Sequence, residues 1–259
     1  MAELPSHSES DLDVGSLLEI VRMVSSDISS HLEVSSGPGS QPAVLSEWPT
    51  PSSDSQSRFD LMGMIVGLEK ALKIQEGQYG PDHAEVATTL FDLGKAYGDL
   101  FEASGSRVTD CLEASRDHLE RALRIKEAHY GADHTEVYDT LLHLGVAYKD
   151  LGDDSKTRDY FERVLRIEEA ECGPDHEDLA TTLDTLGVAS CKLGDASKGR
   201  DYLERALRIK EAHYGADHAE VLITLRNLGT AYGKLGDASK SRDYLERAVK
   251  IASKMRTGH

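Results

Sequence analysis

At 259 residues with a net charge of −17, the chain is long enough for one or two domains and, taken whole, too acidic to favour nucleic acid or an anionic membrane surface. Its three cysteines, Cys111, Cys172 and Cys191, include no C-x-x-C pair; this leaves neither a disulfide framework nor a zinc ligand set and fits a reducing, cytoplasmic setting. The N-terminus carries Glu3, Glu9, Asp11 and Asp13 without a basic stretch, so no secretory leader is expected, and no run of about 18 apolar residues is present to span a membrane.

Residues 1–58 read as an acidic Ser/Pro-rich extension, with nine acids against two bases, sixteen serines and five of the seven prolines. Val14, Leu17, Val21, Val24 and Ile28 recur at 3-4-3-4 spacing and predict a short helix within 12–33, weakened by Gly15 and by Ser25, Ser26, Ser29 and Ser30. Stretch 35–57 is too poor in apolar residues to offset chain entropy and is expected to be a flexible linker.

From Phe59 the pattern is helical and repetitive. The string at 200–218 has close copies at 116–134 and 158–176, a partial copy from 242 to Ile251, and a divergent one over 67–83. Asp133, Asp175 and Asp217 keep a 42-residue register. A period of this length implies stacked supersecondary units that present a long surface. Nine helices are expected over a domain at 59–259. They are a half repeat at 59–78, then pairs at 84–101/109–129, 135–151/155–171, 177–193/197–213 and 219–235/239–256. Asp82, Asp133 and Asp217, each followed three residues later by Glu, predict capping boxes with Asp as the cap. Gly152, Gly194 and Gly236 predict left-handed helix ends, with Asp153, Asp195 and Asp237 opening the second helices. The step from Asp82 to Asp133 is nine residues too long, so a longer connection is expected between Leu100 and Arg116.

Within each unit the small and large residues recur. Leu90, Leu93, Gly94 and Tyr97 return as Leu141, Leu144, Gly145 and Tyr148, as Leu183, Leu186 and Gly187, and as Leu225, Leu228, Gly229 and Tyr232. The second helices carry Leu203, Ala206, Leu207 and Ile209, then Leu245, Ala248, Val249 and Ile251. Gly and Ala let helices approach to about 8 Å, and one unit cannot bury such a stripe without its neighbours. These positions resemble the tetratricopeptide repeat, and the 42-residue period with its Tyr-Gly-x-Asp-His-x-Glu-Val extension is similar to the kinesin light chain and nephrocystin variety. The resemblance implies an all-α, right-handed solenoid of antiparallel helix pairs that holds peptides in a concave groove. Ser190 stands where the family places Tyr, which predicts a gap or a looser third repeat. Kinesin light chains also carry a long heptad-rich segment for their heavy chain, whereas residues 1–58 offer at most two heptads.

His83, His134, His176 and His218 recur once per repeat, so they are spaced along the array and read as turn residues, not as a metal site. Charges such as Arg200, Glu204 and Arg208 at i, i+4 read as a solvated helix face. No P-loop, G-x-G-x-x-G before a helix, G-x-S-x-G or H-E-x-x-H occurs, and Gly194-Asp-Ala-Ser-Lys198 recurs at 236–240 as a repeat turn. No enzyme activity, cofactor or metal is expected. In the family register the groove draws on the first helices. The candidates are Phe91, Asp92, Lys95 and Asp99; Asp139, Leu142, His143 and Lys149; Thr181, Asp184, Val188 and Lys192; and Arg226, Asn227, Thr230 and Lys234. Asn227 can pin a ligand backbone with its paired donor and acceptor, and Arg226 and Lys234 attract acids. Residues 219–259 carry eight bases against four acids, making that end the more positive one.

The expected function is a protein-protein interaction module, an adaptor or scaffold that binds an acidic protein or peptide segment in this groove. One alternative is autoinhibition, with the extension occupying the groove through its apolar strip and Trp48 beside Glu47, a pair that resembles cargo motifs read by kinesin light chains. The other is an oligomerising spacer that pairs through helix 239–256.

Overall fold

The computed structural model describes residues 53–104 and 109–257. The helix expected within 12–33, the extension's Trp48 and most of the linker lie outside the described residues. Nine α-helices and one 3-10 turn, with no strand, occur among the described residues. They are α1 (Ser53–Tyr79), α2 (Ala84–Ala103), α3 (Thr109–Tyr130), the 3-10 turn Thr135–Val137, α4 (Tyr138–Asp150), α5 (Asp154–Cys172), α6 (Leu179–Lys192), α7 (Ala196–Tyr214), α8 (Glu220–Lys234) and α9 (Ala238–Thr257). The first of these starts at Ser53, inside the stretch expected to be linker. Part of the long connection after Leu100 is helical, because α2 continues to Ala103.

The chain divides into two compact units, Met1–His118 and Leu119–His259. In the first, Met62 and Ile65 of α1 and Val86, Leu90, Leu93 and Leu100 of α2 are buried. Thr89 donates to Gln75 Oε1 at 2.6 Å, Tyr97 donates to Glu69 Oε1 at 3.0 Å, and Ser115 donates to the Gly94 carbonyl at 2.6 Å.

The second unit contains the pairs α4/α5, α6/α7 and α8/α9. Each pair reverses at a Leu-Gly-Asp turn. Gly194 takes φ +92°, a left-handed conformation that glycine adopts without a Cβ penalty, and Gly152 and Gly236 do the same. Asp153, Asp195 and Asp237 then cap the second helices, accepting from Lys156, Lys198 and Lys240 backbone N–H groups at 3.0 Å each. Within a pair, the first-helix glycine lets the second helix in. A Cβ on Gly145 would stand 2.6 Å from Phe161 Cε2, and one on Gly229 would stand 2.6 Å from Leu245 Cγ. Between pairs, Leu179, Leu183 and Leu186 of α6 share a core with Phe161 and Leu165 of α5, and Val221, Leu225 and Leu228 of α8 share one with Leu203 and Leu207 of α7. A fully buried leucine contributes roughly 1.5–3 kcal/mol, so most of the stabilisation lies in these stacked seams.

The first helices are capped differently from the expectation. His83, His134 and His218 are the acceptors, each taking a backbone N–H two residues on (Glu85, Glu136, Glu220) at 3.2 Å through Nδ1. The preceding aspartates turn outward instead: Asp133 faces Arg166 at 3.7 Å and Asp217 binds Lys254 at 2.6 Å. An imidazole competes successfully because a tyrosine one turn back holds its plane. Tyr79, Tyr130 and Tyr214 stack on His83, His134 and His218 at 4.9, 5.4 and 5.0 Å. Cys172 replaces that tyrosine before His176, and there the bond to Asp178 N–H lengthens to 3.4 Å.

The third repeat is not loose at Ser190, which is fully buried. Where Tyr148 and Tyr232 stack on Tyr160 and Tyr244, Tyr202 instead points its hydroxyl to Glu162 at 3.4 Å, joined there by Lys198 at 2.7 Å. Gly199 also tightens the pair: a Cβ there would lie 2.7 Å from the Gly187 carbonyl oxygen.

Candidate functional site

Thr181, Asp184, Thr185, Val188, Ala189 and Lys192 recur at three- and four-residue steps, so they fall along one side of α6. Glu220, Ile223 and Asn227 do the same on α8. Between these rows lies a cavity of about 320 Å³, also lined by Lys149, Asp154, Thr157 and Lys210. All of it belongs to the second unit.

Part of the lining is a buried ion pair. Lys210 Nζ meets Asp184 Oδ2 at 2.6 Å, and the Thr224 hydroxyl donates to the same oxygen at 2.8 Å. All three side chains are buried, and Asp184 Oδ1 is buried without a partner. Burial pushes the Asp184 carboxyl above its ordinary range, opposed by the Lys210 ammonium and the Thr224 hydroxyl. An ion pair of this kind roughly breaks even in stability, but removing one partner leaves a costly uncompensated charge. The walls are mixed. Ile223, 53 % exposed, stands with Val188 and Ala189 on the apolar side. On the polar side Lys192 binds Asp154 at 2.9 Å, and Lys149 stands 3.8 Å from Asp150.

Of the residues singled out from sequence, Lys149, Thr181, Asp184, Val188, Lys192 and Asn227 line this cavity. Six others in the second unit, Asp139 among them, do not. Leu142 packs against the core of α5 and α6, His143 Nδ1 lies 2.8 Å from the Asp139 carbonyl oxygen, and Arg226 is exposed. Thr230 donates to the Arg226 carbonyl at 3.2 Å, and Lys234 donates to the Cys191 carbonyl at 2.6 Å. The Lys234 ammonium is thus already spent on the last turn of α6, where a cation is favoured. Phe91 and Lys95 lie on α2 in the first unit, half-buried and exposed respectively. Sequence reading missed Ile223, although it holds the register position of Thr181 one repeat on (181 plus 42), and an apolar residue at an exposed position was the available signal. It also missed Lys210, because a lysine on a second helix reads as solvated face.

The lining offers amines, carboxylates, hydroxyls of threonine, one amide and aliphatic carbon. This set can pin a polypeptide by hydrogen bonds and contact. Among the described residues no group of three or more His, Cys, Asp or Glu is placed to hold a metal ion, and no helix is long and apolar enough to cross a membrane.

The tetratricopeptide repeat family model matches residues 136–212 and 178–254. No curated protein matches the sequence. Among solved structures, a putative kinesin light chain from Podosopora anserina with nearly identical TPR-like repeats is 18 % identical, with a TM-score of 0.62 over 78 % of this chain and 92 % of that one. MamA is 18 % identical, with a TM-score of 0.55 over 81 % and 99 %. YrrB, described as a TPR protein with an unusual peptide-binding site, is 15 % identical, with a TM-score of 0.51 over 77 % and 92 %. At these identities the structural likeness speaks for the fold. The family match covers 136–254, and over the described helices the fold is a tetratricopeptide-repeat solenoid similar to that of the putative kinesin light chain.

Proposed function

We propose that the chain is a non-enzymatic adaptor that binds a segment of a partner protein across α6 and α8. The observation that carries this reading is the cavity between those helices, which is lined by exposed Ile223, half-buried Val188 and the Asn227 amide. Asn227 supplies both a donor and an acceptor for a ligand's main chain. An apolar ligand residue fits against Ile223 and Val188, and an acidic one would compete with Asp154 for Lys192. Exposed Arg226 adds a further cation on the same helix. The related repeat protein YrrB is described as having a peptide-binding site, which makes a peptide-sized ligand reasonable here. The free thiols of Cys111, Cys172 and Cys191 are in keeping with a cytoplasmic setting.

The test is a selection of displayed random peptides on the immobilised full chain, followed by affinity measurements on the winners. Ile223→Glu is expected to weaken binding by about tenfold or more, and Asn227→Ala by about 5–10-fold, as loss of a central apolar contact and of a hydrogen bond would. Winners that bind both variants as tightly as the parent would refute the assignment.

A further inference from the structure

The outer side of α9 repeats a surface that is covered everywhere else in the second unit. Phe161 and Leu165 of α5 are 3 % and 7 % exposed beneath α6, and Leu203 and Leu207 of α7 are 0 % and 7 % exposed beneath α8. The residues at the same register on α9 are Leu245 and Val249, and they are 40 % and 68 % exposed. With Arg242, Ala252 and Arg256 they form one stripe at 3-4-3-4 spacing along the helix, all of it exposed. This is the seam on which a further helix would sit.

Two features show what kind of helix. The first is polarity. The position of Ala252 is held by Glu168 in α5 and Lys210 in α7, and both are buried at a polar seam: Glu168 accepts from Thr182 of the covering α6 at 3.1 Å, and Lys210 binds Asp184 of its own pair's α6 at 2.6 Å, the carboxylate to which Thr224 of the covering α8 donates at 2.8 Å. Ala252 makes no such demand, so the covering face can be purely aliphatic. The second is charge. In a chain of net charge −17, α9 carries six bases against Asp243 and Glu246. Three of those bases are engaged within the fold, Lys240 with the Tyr232 hydroxyl at 3.4 Å, Arg247 with the Ala216 carbonyl at 2.6 Å and Lys254 with Asp217 at 2.6 Å. Arg242 and Arg256 stand at the two ends of the apolar stripe.

We propose that this stripe docks an acidic amphipathic helix of another protein, with aliphatic residues at i, i+4 and i+7 against Leu245 and Val249 and carboxylates reaching Arg242 and Arg256. The interface continues the packing already made by α6 on α5 and α8 on α7. A second copy of this chain presenting its own α9 would set two basic stripes face to face, which costs more than it gains. The proposal does not depend on the cavity between α6 and α8.

The test uses the full chain and two labelled synthetic helical peptides with leucines at i, i+4 and i+7, one flanked by glutamates and one by lysines. Fluorescence anisotropy is expected to show saturable binding of the glutamate peptide, at least about tenfold tighter than the lysine peptide and weakened by added salt. Val249→Glu, and separately Arg242→Glu with Arg256→Glu, are expected to weaken it by about tenfold or more, while Ile223→Glu leaves it unchanged. All these positions are exposed, so the fold is not at stake. The proposal is overturned if the two peptides bind alike, if neither saturates, or if Val249→Glu has no effect. It is also overturned if light scattering finds a dimer of the chain that Val249→Glu dissociates, which would make the occupant a second copy.

Discussion

A single buried carboxylate illustrates how far local chemistry departs from sequence expectation. Glu168 accepts from the Tyr138 hydroxyl at 2.9 Å and from Thr182 at 3.1 Å, both on Oε1, while Oε2 is buried without a partner. Burial raises the pKa of this carboxyl, and the two hydrogen bonds only partly oppose the shift. The folded protein therefore keeps a proton that the unfolded chain has already released. The stability linked to that proton is full below the ordinary glutamate range and is lost as pH rises through the raised value. Asp184, raised by its own burial, acts with the same sign. Glu168→Gln removes one such titration. Urea unfolding between about pH 4 and 8 should show the variant gaining on the parent as pH rises, by about 1 kcal/mol, whereas parallel profiles would contradict the assignment. Sequence could not show this, because a glutamate on a repeat helix reads the same whether its neighbour is water or Tyr138.

Between elements, the same register positions carry different polar locks. Gln75 accepts from Thr89, Glu168 accepts from Thr182, and Lys210 donates to Asp184, which also accepts from Thr224. The first two locks join a second helix to the first helix that follows it, and the third ties α7 and α8 together through Asp184 of α6, so the locks sort which helix face belongs on which. The Lys210–Asp184 pair allows a direct test, because the corresponding position to Asp184 in the preceding repeat is Leu142. Lys210→Met alone strands a buried carboxylate and is expected to cost about 3–5 kcal/mol, while Lys210→Met with Asp184→Leu recovers most of the loss. Additive losses in chemical denaturation would show that the pair is not a unit. Much at this scale was legible in the residues. Leu-Gly-Asp turns, capping Asp153, Asp195 and Asp237, and the leucine seams all follow from spacing. The histidine caps were not legible, because choosing His218 over Asp217 depends on a stacked Tyr214 that only the folded turn brings into place.

For the molecule as a whole, function follows from which helix faces remain after stacking. The leucine seams consume one side of each first helix, and what is left on α6 and α8 includes Val188, Asn227 and Ile223. Register alone identified Val188, Lys192 and Asn227 as facing outward together. It could not separate them from Thr230 and Lys234, whose hydrogen bonds to Arg226 and Cys191 carbonyls appear only in three dimensions. The most direct measurement is photo-cross-linking from a benzophenone side chain placed in the full chain at position 223, on the cavity wall, or at position 212, exposed on α7. In the presence of a selected peptide ligand, efficient cross-linking from 223 and little from 212 is the predicted result. Equal labelling from the two positions, or labelling from 212 alone, would contradict the claim that the face between α6 and α8 receives the partner.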